Sequence, residues 1–190
     1  MENQEVNFLY LANNLAVDFI NTSIVDRGNE IELLEDVDDL IRWGRSAGLS
    51  VRIDVDGPCR LGSVKELRDA IRSLFSAKLD DEPAPTDALG ILNQWLPKGI
   101  VEKRLEEIEG QFVMSPLYHE LSVDMLLGHV ATEAALLLSS SQLAKLKRCA
   151  NPKCVLMFLD VSRSGKRRWC SMDLCGNRSK AATYYMNTKN

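Results

Sequence analysis

Apolar side chains recur at helical spacing over most of the chain, interrupted by a few short stretches where apolar and charged residues alternate. Residues 6–20 predict a helix or a helix–strand boundary. It is broken at Asn21-Thr22-Ser23, whose short polar side chains compete for backbone hydrogen bonds. A second helix is predicted over 36–47, acidic at its start and stopped by Gly48. Residues 51–55 alternate like a short edge strand, and Asp56-Gly57-Pro58 turns the chain. Ser63 with Glu66 reads as a capping box for a helix through about Leu79, with Val64, Leu67, Ile71, Leu74 and Phe75 on one face. Residues 80–85 form a linker, and Thr86 caps a short helix that buries Leu89, Leu92, Trp95 and Leu96. Two runs joined at Glu109-Gly110, between 99 and 114, predict a β-hairpin, although the first arm would also suit a helix. Ser115-Pro116 then opens a helix over about 117–138, apolar almost all round from Met125 onward and so central to the core. Ser140 or Ser141 starts a further turn leading straight into Cys149, with no Gly/Ser linker between.

Composition adds the size of the core. With 190 residues, 45% of them hydrophobic, the chain can fill one ordinary domain plus a small appendage. No apolar run reaches the length of a membrane span, and the N-terminus lacks the pattern of a secretory signal. A cytoplasmic protein with reduced thiols is the expectation.

Charge divides the chain. Residues 1–144 hold 12 Lys/Arg against 25 Asp/Glu, a net of −13, whereas residues 145–190 hold 11 against 2, a net of +9. An acidic body repels phosphate and a basic tail attracts it.

The tail also holds the chemistry. Cys149-x4-Cys154 is followed, after fifteen residues, by Cys170-x4-Cys175. Two close pairs of thiols are what one tetrahedral Zn²⁺ requires, and a full set of four leaves no open position for water activation. Residues 155–159 and 167–169, joined by a turn at 162–165, predict a hairpin between the pairs, and a helix is expected after Cys175. Knuckle, hairpin and helix describe a treble-clef-like zinc finger. Arg163, Lys166, Arg167 and Arg168 beside the turn, with Arg178 and Lys180 on the last helix, are the candidate DNA contacts. Asn177 is a base reader or a brace for the knuckle, and Trp169 is expected in the core. Of the adjacent Tyr184 and Tyr185, one is expected to face in and one out.

Asp18, Asn21 and Thr22 form a candidate ligand-binding group at the end of the first helix, against the plainer reading that they end the helix. His119 and His129 lack partners at metal-ligand spacing, and Cys59 has no partner thiol. No nucleophile–base set, phosphate loop or dinucleotide motif appears, so an enzyme is not expected.

The run Arg167–Tyr185 resembles the CGNR zinc finger, through Cys175-Gly176-Asn177-Arg178, and Cys149, Cys154, Phe158, Asp160 and Ser162-Arg163 match the same family. Upstream, Leu15–Thr22 and Asp38–Leu49 are similar to the ABATE domain that accompanies this finger in bacteria. The resemblance implies a stress-induced transcription regulator and carries over the four cysteines as ligands of one structural zinc ion. The expectation is therefore an α+β protein. Residues 1–145 would form a helix-rich α/β sensor domain with a small β-sheet, and residues 146–190 a DNA-binding finger. An unidentified small-molecule or protein effector and a homodimer are further expected partners. A protein-docking module and a redox-sensing zinc thiolate are the rival readings.

Overall fold

A computed structural model describes residues 8–26, 28–52, 61–100, 102–117 and 120–180. The turn at Asp56-Gly57-Pro58, most of the strand predicted over 51–55, and Cys59, His119, Tyr184 and Tyr185 lie outside the described residues.

The first helix is much shorter than predicted. Helix α1 spans Leu15–Ile20, begins at Asn14, whose Oδ1 accepts the Val17 N–H at 3.1 Å, and is preceded by Asn13 at φ +54°. Two successive asparagines thus stop the apolar run from being helical before Leu15, because Asn favours both the cap and the left-handed region. Strands β1 (Ser23–Asp26) and β2 (Asn29–Glu32) follow as an antiparallel hairpin that the sequence reading missed. Gly28, at φ +88° in its two-residue turn, was the available signal.

Helix α2 (Val37–Ser46) matches its prediction: the Asp36 side chain caps it, and Gly48 at φ +85° follows its end. Val51 makes one parallel bridge to Leu121, and no strand forms around it among the described residues. Helix α3 (Leu61–Leu79) is already under way at Ser63, so the expected capping box does not start it. Leu61, packed against the core, carries the helix two residues further back. Helix α4 (Thr86–Trp95) takes Pro85 as its cap residue and Thr86 as its first helical one. Its buried residues are Ala88, Leu92 and Trp95, while Leu89 is exposed. A 3₁₀ turn at Leu96–Gly99 leads to strands β3 (Lys103–Ile108) and β4 (Gln111–Pro116), the predicted hairpin. Glu109 and Gly110 both have positive φ, as a tight hairpin turn of this type requires.

Pro116 does not open a helix. It closes β4 opposite Lys103, a strand position that needs no N–H, and helix α5 starts only at Val123–Leu138, capped by the Ser122 hydroxyl. This helix is central, in contact with α1, α3, α4 and the 3₁₀ turn. The turn crosses it at Gly99 over Gly128, so closely that a Cβ on either would overlap the other's backbone. A second 3₁₀ turn, Ser141–Lys145, starts at Ser140 as expected and runs into β5 (Leu146–Arg148), which pairs antiparallel with β6 (Met157–Leu159).

The architecture is α+β as expected; among the described residues it has three separate two-stranded antiparallel sheets, two in the body and one in the cysteine module. One hydrophobic core runs from α1 through α3 and α5 into Leu146, Leu156–Leu159 and the cysteines.

The side of α3 facing the first hairpin carries two arginines, Arg68 buried and Arg72 half-buried. Arg68 makes paired bonds to Glu32 at 2.6 Å each and another to Thr22 Oγ1 at 3.2 Å. Arg72 donates to the carbonyls of Ile20, Ser23 (3.3 Å) and Val155 (3.0 Å). A helix end leaves carbonyls without partners, and here an arginine fills the Ile20 carbonyl and extends to the C-terminal segment.

Burial pushes the Glu32 carboxyl up, but Arg68, the Leu34 N–H and Lys65 together outweigh it and hold it at about 2 instead of 4.5. A carboxyl depressed on folding contributes stability above its unfolded value and loses it as pH falls. Wild-type stability, followed by urea unfolding, is therefore expected to fall as pH drops from 4.5 towards 2. Arg68→Met, less stable at neutral pH, should lose less over that window; equal losses would refute the pairing.

Candidate metal centre

The loop between β5 and β6 holds the first pair of cysteines. The Cys149 N–H extends the ladder to the Leu156 carbonyl at 3.0 Å, and the Cys154 N–H turns back to the Asn151 carbonyl at 2.9 Å. The partner expected for β6 was the segment at 167–169, but β6 pairs instead with β5, upstream of Cys149. The expected turn does form, with the Gly165 N–H on the Ser162 carbonyl and Gly165 at φ +61°. The returning chain then joins the edge through a single bond, Ala150 N–H to the Arg168 carbonyl at 2.8 Å. The second pair flanks Ser171, whose hydroxyl accepts the N–H groups of Asp173 and Leu174 and starts a π-helical turn at Met172–Gly176. Helix continues through 177–180, so Cys175 lies inside the first turn and not ahead of it.

These loops bring the four sulfurs of Cys149, Cys154, Cys170 and Cys175 within 4.8 Å of one another. Cys154 Sγ lies 3.9 Å from Cys170 Sγ, far beyond a disulfide bond and close to the edge, about 3.8 Å, of a tetrahedron with Zn–S near 2.3 Å. The Cys170 N–H points at Cys149 Sγ and Asn151 Nδ2 at Cys175 Sγ, each at 3.4 Å. Such donors orient and stabilise thiolates. The Cys170 thiol brings Cys154 down to about 5. Cys170 is itself raised, because ionising it would set a second anion against Cys154, and burial raises Cys175. Without a cation the thiolate is favoured at Cys154 over Cys170 and Cys175; a divalent ion offsets the charge of the full set. The four cysteines are suited to binding one zinc ion.

Two inward-facing groups hold the module together. Asp160, almost fully buried, accepts Lys147 Nζ at 2.6 Å, the Ser162 hydroxyl at 2.6 Å and the N–H groups of Ser162 and Arg167 at 3.1 and 2.9 Å. It fixes the turn from inside, and Lys147 above all holds its carboxyl well below the usual range. Arg167 lies 4.3 Å over the Phe158 ring and donates to the carbonyls of Trp169 (2.9 Å), Cys170 and Leu11 (3.3 Å). Expected among the DNA contacts, Arg167 is thus occupied in bracing the cluster against the N-terminal segment.

The other expected contacts differ. Arg163, Lys166, Arg168 and Lys180 are exposed, and Arg178 is exposed on the final turn with interactions of its own. Two grooves, of about 690 and 360 Å³, share the wall formed by residues 166–168. The larger also includes Lys147, Arg148 and Leu79, and the smaller Trp169, Ser171 and Met172; neither has a carboxylate in its lining. Asn177 braces no sulfur, a task that falls to Asn151. Trp169 is half-buried against the core, with Arg168 5.2 Å from its ring centre.

The expected ligand group does not line either groove. Asp18, Asn21 and Thr22 are all buried, and each is bonded within the protein. Asp18 Oδ1 accepts the N–H groups of Leu11 and Ala12, and burial raises its carboxyl to about 6 in spite of them. Thr22 bonds the Phe19 carbonyl and Arg68. Asn21 Nδ2 donates to the Met157 carbonyl at 2.8 Å, and the Met157 N–H donates to Asn21 Oδ1 at 3.1 Å. Asn21 therefore joins the body to the cysteine module; a ligand would have to displace that joint. Sequence reasoning missed this role because the partner lies 136 residues away.

Two outcomes check these assignments. Removal of metal by a chelator should expose the amides of 149–180 to hydrogen exchange while α3, α4 and α5 stay protected; exchange unchanged by the chelator would contradict the cluster's role. Asn21→Ala leaves the buried N–H and C=O of Met157 unpaired, at about 1–3 kcal/mol each. Chemical denaturation should register that loss.

Two family models match the chain, one after the other. Residues 13–141 match the ABATE family, described as "Putative stress-induced transcription regulator", and residues 145–187 match the CGNR zinc finger. No curated protein matches the chain.

Proposed function

The chain belongs to the ABATE family, and from that premise we propose that it is a transcription regulator whose zinc-stapled C-terminal module binds DNA. Cys149, Cys154, Cys170 and Cys175 would hold the ion, which supplies a structural cross-link between two loops too small to fold by burial alone. The supporting observation is the pair of grooves on either side of residues 166–168, where Lys166 and Arg168 are exposed and no carboxylate is among the lining residues, while Lys147 and Arg148 in the larger groove's wall are engaged by Asp160 and Asp80. Asp160 sets the turn from beneath, so Arg163 and Lys166 extend from a fixed backbone. Rigid cations on a narrow ridge suit the phosphate backbone of a duplex, where they determine position rather than sequence.

The other end of the protein bears on this reading through its rigidity. Arg148 makes paired bonds of 2.6 and 2.7 Å to Asp80 at the end of α3, Arg72 holds the Val155 carbonyl, and Asn21 holds Met157. DNA would therefore meet the module in one orientation relative to the body. Because Asp18, Asn21 and Thr22 are bonded internally, they are not part of the proposed recognition of any effector.

Duplex DNA binding measured by fluorescence anisotropy across a salt series tests the proposal. Each phosphate contact contributes about 0.9 to the slope of log K against log salt. The Arg163→Ala, Lys166→Ala, Arg168→Ala triple variant should lower that slope by about 3 with its thermal stability unchanged. Arg167→Ala should do the reverse, lowering stability through its lost carbonyl contacts. Binding that is absent or indifferent to salt in the zinc-loaded protein would overturn the proposal.

A further inference from the structure

Among the described residues, no other element covers the β3–β4 hairpin: its strands pair only with each other and make no substantial contact with any other element. The register alternates its side chains so that Lys103, Leu105, Glu107, Phe112 and Met114 share one face. On that face Leu105, Phe112 and Met114 are 63%, 73% and 60% exposed. A lone two-stranded hairpin is marginal in water, and clustered exposure of this kind marks an interaction surface.

Backbone geometry determines what can add to it. Counted from the bond between the Leu117 N–H and the Glu102 carbonyl at 2.7 Å, alternation turns the polar backbone groups of Arg104 and Glu106 inward to β4. Those of Lys103, Leu105 and Glu107 face outward, unpaired within the sheet. An identical strand added antiparallel about a two-fold axis places one residue opposite itself, either one of these three or one lying between them. Centring on Lys103 or Arg104 opposes two cationic groups, and centring on Glu106 or Glu107 opposes two carboxylates. Centring on Leu105 does neither: Lys103 then faces Glu107 of the second copy, Arg104 faces its Glu106, and leucine meets leucine. The order Lys-Arg-Leu-Glu-Glu is its own complement when reversed. Charges of one sign along an edge would repel a copy; here every facing pair is of opposite sign.

We propose that the chain dimerises through β3, antiparallel to β3 of a second copy with Leu105 on the axis, to form a four-stranded sheet. The two Leu105 side chains, each flanked by Met114, meet across the axis. The interface is isologous, so it closes at two copies and leaves the outer β4 edges uninvolved.

Sedimentation of the full zinc-loaded chain tests this. The wild type should sediment at twice the 21.3 kDa chain mass. Lys103→Glu with Arg104→Glu, on exposed positions, should reduce it to a monomer. Adding Glu106→Lys and Glu107→Lys inverts both halves, restores self-complementarity and should restore the dimer, which separates lost pairing from lost folding. In a Cys59→Ser background, Leu105→Cys should form an interchain disulfide on mild oxidation, since paired Cα atoms about 5.5 Å apart are within bridging reach. Phe112→Cys, away from the axis, should not. A monomeric wild type, a dimer indifferent to the double reversal, or a quadruple variant that stays monomeric overturns the proposal. None of these outcomes bears on DNA binding by the finger.

Discussion

Two hydrogen bonds between the Asn21 side chain and the Met157 backbone connect the two ends of this chain. They are buried and directional, and each leaves an unpaired polar group if broken, so they specify one orientation where apolar contact alone would tolerate several. Asn21 can fill this position because α1 ends there: its side chain lies beyond the last helical residue, facing the strand that follows the first cysteine pair. Arg72 reinforces the joint from α3 by bonding the Ile20 carbonyl on one side and the Val155 carbonyl on the other. The body and the cysteine module consequently share one core, with Phe158 fully buried between them.

Within the module the cations divide into two groups. Lys147 and Arg167 face inward, the first on Asp160 and the second on backbone carbonyls around Cys170. Arg163, Lys166 and Arg168 face solvent from the backbone that those contacts fix. A long cationic side chain held at its head is rigid, and one held at its root by an ordered turn is aimed. Both arrangements depend on the four sulfurs staying together, since the turn, Arg167 and the final helical turn all lead into Cys170 or Cys175.

The parts legible in the sequence were those governed by local chemistry. The C-x4-C pairs, the Asp36 cap with Gly48 and the Glu109-Gly110 turn each depend on residues a few positions apart. Errors arose where a distant partner decided the outcome. Pro116 resembled a helix start until its place opposite Lys103 made it a strand end. Met157–Leu159 chose the upstream strand over the downstream one, although both flank a cysteine. Arg167 is indistinguishable from Arg168 in sequence, yet the aromatic face of Phe158 and the Leu11 carbonyl draw it inward. Asp18, Asn21 and Thr22 looked like a site for the same reason: buried polar groups at a helix end need partners, and sequence does not show whether those partners are ligand or protein.

The same locality governs charge. The whole chain carries −4, a value that would argue against a polyanionic partner. At physiological ionic strength, however, exposed charges act over about 8 Å, a distance shorter than a small domain. What approaches the ridge at 166–168 therefore responds to Lys166 and Arg168, since Lys147 and Arg148 are each paired with a carboxylate, and not to the acidic groups of remote helices. The acid-rich body disfavours nucleic acid wherever the ridge is absent, so in the proposed function the two signs together would restrict a duplex to one face of the protein. Rigid attachment through Asn21 and Arg72 keeps that face in place; a finger on a flexible tether could fold its cations back onto the acidic body and neutralise them.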